Sequence, residues 1–131
     1  MEDAHACILD LKPESEEGGE ETDSKTRISF FGVYDGHGGE RVAQYTGENL
    51  HKIVARQSAF KELNFEQALK DGFLATDRAL LSGEHALQDL FPKVHKLNHL
   101  IDPKYEDEVS GCTASVGVIT GDKIYVVRYV C

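Results

Sequence analysis

No apolar run in this chain of 131 residues approaches the roughly 20 that a helix needs to cross a bilayer. The opening Met1-Glu2-Asp3-Ala4-His5 also lacks the basic start and apolar stretch of a secretory signal. Membrane insertion and secretion are not expected. Cysteine is scarce: Cys7, Cys112 and Cys131 make an odd count with no C-x-x-C spacing, which speaks against a disulfide framework or a thiolate zinc site. A reducing compartment, cytoplasmic or nuclear, fits that usage. Positive charge is short as well, with 14 Lys and Arg against 23 Asp and Glu and a net charge of −9. Nucleic-acid partners are usually met by a basic patch, so none is expected. What the chain does carry is 40% hydrophobic residues in a length that fits one domain. That suffices for a core, with little surplus stability at this size.

The acidity is concentrated. Glu14, Glu16, Glu17, Glu20, Glu21 and Asp23 fall in residues 14–23 without a base between them. This stretch, with Gly18 and Gly19 inside, reads as a solvated, self-repelling loop. It lacks the ligand spacing of a calcium loop. It joins two apolar runs. His5–Leu11 reads as a strand, and Ile28–Tyr34 is nearly continuous in apolar residues, which predicts a central strand covered on both faces. The loop would make them an antiparallel pair.

Past Tyr34 the period changes. Val42, Tyr45, Thr46, Asn49, Leu50 and Ile53 recur at three and four residues, predicting an amphipathic helix over Glu40–Arg56. Phe65, Ala68, Leu69, Phe73 and Leu80 predict a second over Phe65–Leu81. Asn64 would cap it, with Gln67 as in a capping box, and Ser82-Gly83 would close it. Glu66 and Lys70 form a favourable i,i+4 pair. Residues 84–109, broken by Pro92 and Pro103, read as a variable insertion. His95 and His99 there share a helical spacing, but no Cys or third His stands near, and a solvated helix accounts for them. Thr113–Ile119, Gly121-Asp122 and Lys123–Val127 read as a hairpin with a type II′ turn.

Chemistry concentrates at Asp35-Gly36-His37-Gly38-Gly39, between a buried strand and a helix start. The glycines admit backbone conformations closed to other residues, and a helix N-terminus favours anions such as phosphate. Asp-Gly is also ordinary turn chemistry, so the segment alone has two readings. Glu2 and Asp3 precede the first strand, and pairing with Ile28–Tyr34 could bring them near Asp35. They could equally be a charged N-terminus. Three carboxylates and a backbone carbonyl would make an all-oxygen site, which selects Mg²⁺ or Mn²⁺ over zinc. Neighbouring strand residues face opposite ways, so Glu2 and Asp3 cannot both aim at one point unless water intervenes or the strand bulges.

Met1-Glu2-Asp3-Ala4-His5, Phe30-Phe31-Gly32-Val33-Tyr34-Asp35-Gly36-His37-Gly38-Gly39 and Ser110-Gly111-Cys112-Thr113-Ala114, in that order, resemble motifs of the metal-dependent type 2C serine/threonine protein phosphatases. The resemblance covers essentially the whole chain but only the N-terminal half of that family's catalytic domain. It implies an α+β fold, a partial antiparallel β-sandwich flanked by two long helices, with residues 1–131 as part of one domain. It implies two Mn²⁺ or Mg²⁺ ions and a phosphoprotein substrate. By the resemblance Asp35 would bridge both metals, and Gly36 would lend its carbonyl to one. Glu2 would be a ligand of the second, directly or through water. Asp3 would hold a metal-bound water, and His37 would be the general acid protonating the leaving seryl or threonyl oxygen. Ser110–Thr113 would be structural, entering a core strand.

The resemblance also has edges. The family's phosphate-binding arginine lies upstream of the Met-Glu-Asp-Ala-His motif. Arg128–Cys131 departs from the family's Gly-Asp-Ser-Arg pattern, and the distal acidic motifs are absent. The chain is therefore expected to be a truncated product with unrelated residues at its end. It should expose a sheet face, bind metal weakly, turn over negligibly and be a monomer if folded. The alternative to an enzyme is an inactive fragment or pseudo-phosphatase that binds a phosphoprotein or partner.

Overall fold

The computed structural model describes residues 3–13, 27–82 and 110–130. Glu2, the acidic stretch 14–23, Gly83, the 84–109 insertion with His95 and His99, and Cys131 lie outside the described residues. Among the described residues, four strands, β1 (Asp3–Ile8), β2 (Ser29–His37), β3 (Gly111–Ile119) and β4 (Ile124–Val130), form one sheet in the order β1-β2-β3-β4, every pair antiparallel. Three helices among the described residues, α1 (Arg41–Arg56), α2 (Ser58–Lys61) and α3 (Phe65–Ser82), stand between β2 and β3 in the chain. The architecture is α+β, as the sequence predicts, with the short α2 added.

Alternation decides which way the sheet faces. Phe30, Gly32, Tyr34 and Gly36 on β2, with Cys112, Ala114, Val116 and Val118 on β3, are buried. They pack with Leu50, Val54, Ala68, Leu69 and Phe73 from α1 and α3. Tyr125, Val127 and Tyr129 point inward from β4, and the two tyrosines make ring contacts with Phe65 (5.8 Å) and Phe73 (5.0 Å). Close crossing of the two long helices needs Gly72. A methyl there would meet the Val54 side chain and lie 3.2 Å from its Cα.

The other face of β2 is open: Val33 is 59% and Phe31 37% exposed. This corrects the expectation of a strand covered on both faces, because among the described residues the helices occupy one side only. Other boundaries move too. β1 begins at Asp3 rather than His5, and β2 runs on to His37, so Asp35 and Gly36 stand within a strand and not in a turn. Asn64 does cap α3, its Oδ1 accepting from the Gln67 N–H at 3.3 Å. The capping box is not reciprocal: the Gln67 amide donates to Asp71 (2.8 Å), while the Asn64 N–H donates to the Ala59 carbonyl (2.8 Å). Lys70 reaches Glu66 at 2.7 Å and holds that carboxyl below its ordinary range. Positive φ among the described residues is confined to Gly38, Gly39 and Leu63, so Gly121 does not make the type II′ turn. Instead the Thr120 N–H (2.9 Å) and hydroxyl (3.3 Å) both donate to the Lys123 carbonyl. Arg128–Val130, expected to leave the pattern, continue β4, and the Tyr129 hydroxyl donates to Asp77 on α3 at 2.7 Å. No described helix is long and apolar enough to cross a membrane.

Candidate active site

The strand periodicity that buries Tyr34 and Gly36 turns Asp35 and His37 to the open face, both exposed. Register adds the neighbours. Asp3 on β1 stands directly opposite Asp35, which on its other flank is opposite Thr113 of β3. Residues opposite one another share a face, with Cβ atoms roughly 4.5–5.5 Å apart. One row of the open face therefore reads Asp3, Asp35, Thr113. His37 lies one step further along β2, opposite Gly111. His5, exposed and opposite Val33, lies one step the other way.

Two carboxylates side by side repel unless a cation lies between them, and no hydrogen bond or ion pair ties either to another described residue. As a donor set they are all oxygen and suit a hard divalent cation. The described residues contain no group of three or more His, Cys, Asp or Glu able to hold a metal. Glu2, the third carboxylate of the expected site, lies outside them. Gly36 is buried and paired with Cys112, its backbone in the sheet between the two exposed side chains.

Beyond His37 the backbone turns through Gly38 (φ 72°) and Gly39 (φ 144°) into α1. The first turn of α1 holds no acid, and Glu40 makes no side-chain cap. The start of α1 adjoins the carboxylate end of β2, and the helix dipole there favours an anion. The geometry thus brings together Asp3, Asp35 and His37, and adds Thr113, to which the sequence assigns no chemistry. The signal for Thr113 was the alternation of β3, legible only once its partner strand is known.

A family model described as Protein phosphatase 2C matches residues 1–128. The protein phosphatase 2C homolog 2 of Aspergillus fumigatus is 56% identical over 127 residues, which is 96% of this chain and 25% of that protein. The homolog 2 of Hypocrea jecorina is 50% identical over 129 residues (96% and 24%), and that of Schizosaccharomyces pombe 35% over 124 (95% and 26%). The chain spans about a quarter of the length of these curated relatives.

Proposed function

The chain belongs to the protein phosphatase 2C family, and from that premise we propose that it serves the metal-dependent hydrolysis of phosphoserine and phosphothreonine in proteins. One observation carries the reading: Asp3 faces Asp35 across β1 and β2 on an exposed face, with His37 at the end of the same strand. Asp35, Glu2 and the Gly36 carbonyl would hold Mn²⁺ or Mg²⁺, and Asp3 would hold a water bound to the metal. Two such ions, when bound, neutralise phosphoryl charge and lower the pKa of a water. His37, exposed at the end of β2, would give a proton to the leaving seryl or threonyl oxygen, whose alkoxide is strongly basic. The start of α1 favours the substrate's phosphate electrostatically. Cysteine usage supports a cytoplasmic or nuclear place of action, and the substrate is a phosphoprotein met by a monomer.

The test is Mn²⁺-dependent release of phosphate from a phosphoserine peptide by protein carrying these residues. Asp35→Asn should abolish it, and His37→Gln should lower kcat by about 10²–10⁴-fold. Turnover that is unchanged in Asp35→Asn would refute the assignment. A second reading applies to the present chain taken alone: it binds a phosphoprotein or partner without turnover. Robust Mn²⁺-dependent hydrolysis by the purified chain would overturn that second reading.

A further inference from the structure

Strand β2 ends at His37 and α1 begins at Arg41, joined through Gly38 and Gly39, both at positive φ. Such a joint has no side chains to stiffen it. Glu40, at the helix start, adds no side-chain hydrogen bond. Contacts away from the joint therefore help to fix the setting of α1 against the strand end that carries Asp35 and His37. One such contact lies directly behind the site. Cys112 is the register partner of Gly36, standing between Gly111 opposite His37 and Thr113 opposite Asp35. Its side chain is on the packed face, where Sγ donates to Thr46 Oγ1 at 3.7 Å. Thr46 Oγ1 in turn donates to the Val42 carbonyl, one turn closer to the helix start, at 2.7 Å. Both residues are completely buried.

We infer that Cys112 and Thr46 form a thiol–hydroxyl latch that holds the first turns of α1 against the Asp35–His37 strand end, making them positioning residues for the site on the opposite face. The inference rests on the reading of Asp35 and His37 as site residues. A thiol is a weak donor, so the latch adds little to global stability. Its effect is local, because the glycine joint transmits no rigidity of its own. Burial alone would make the pair ordinary core. A core role loosens the whole fold evenly, whereas a latch loosens one end of it.

Native-state hydrogen exchange on the full chain separates the two. Cys112→Ala and Thr46→Val should raise exchange at the Gly36, His37, Gln44 and Tyr45 amides by about 2- to 5-fold, the low end of what one hydrogen bond supplies. Amides of Leu50–Val54 and Leu69–Phe73 should keep their rates. Cys112→Ser, which keeps a donor, should restore the native pattern even if the Thr46 variant fails to fold. Uniform acceleration over all these amides, or no rescue by serine, would overturn the latch. Mn²⁺ affinity measured by calorimetry on the same proteins should fall several-fold in Cys112→Ala and recover in Cys112→Ser. If the exchange pattern holds but the native chain shows no Mn²⁺ binding that Asp35→Asn removes, the site reading fails and the latch stands. An unchanged Mn²⁺ affinity in Cys112→Ala, with binding intact in the native chain, overturns its positioning role.

Discussion

Replacing Asp3 by Asn should make the metal-free protein more stable and the metal-loaded protein less so. The two carboxylates face each other across β1 and β2 on an exposed face with no cation bonded to either among the described residues. Unit charges about 5 Å apart interact by roughly 0.8 kcal/mol in water. Cross-strand pairs of like charge cost a comparable amount, about 0.2–1 kcal/mol. Removing one charge should therefore add about 0.5–1 kcal/mol in metal-free buffer at low salt. With a urea slope of about 2 kcal/mol/M, the midpoint should rise by about 0.25–0.5 M. The gain should shrink at 1 M salt, where the screening length drops to about 3 Å. Adding Mn²⁺ should reverse the order, because a ligand that binds only the folded state stabilises the native protein by more than a variant lacking the Asp3 charge beside the ion. Urea melts of both proteins, with chelator and with Mn²⁺, read all of this. A variant that is less stable without metal, or one stabilised by Mn²⁺ as much as the native chain, would refute the pairing of the two acids around a cation.

Three further outcomes follow from local geometry. Leu63 closes α2 at φ 62°, its N–H donating to Phe60 and that of Asn64 to Ala59, so Leu63→Gly should raise stability by about 1 kcal/mol in thermal melts. Tyr129→Phe removes the bond to Asp77 and should cost about 1 kcal/mol, with a larger loss of protection at the end of β4 than elsewhere. Burial pushes the Tyr45 hydroxyl up to about 12 from 10.0. The folded form then holds its proton more tightly than the unfolded chain. Its contribution is full below pH 10 and is lost as pH rises towards 12. Tyr45→Phe should flatten that alkaline decline in a series of urea melts, and an unchanged slope would assign it to other groups.

Much of the fold was legible because its signals are local. The three-and-four spacing from Val42 to Ile53 and from Phe65 to Leu80 marks two helices, and β3 alternates cleanly from Cys112 to Val118. What escaped was set at a distance. Phe30–Tyr34 is apolar at nearly every position, and composition cannot say that only one side meets helices. Asp35-Gly36-His37 reads as a possible turn because glycine weakens strand propensity, yet pairing on both sides extends β2 through it. The four residues of α2 are too few to show a period. At the site, Asp35 and His37 were visible from their motif. That Asp3 stands opposite Asp35, and that Thr113 flanks it, depends on register, which no single strand contains.

Paramagnetic line broadening by substoichiometric Mn²⁺, read in the amide and side-chain resonances of the native chain and of Asp35→Asn, bears most directly on the central claim. Loss of signal should centre on Asp3, Asp35, His37 and Thr113, fall off with distance from them, and vanish in the variant. Broadening spread over the acidic surface, or the same in both proteins, would contradict a metal held between β1 and β2.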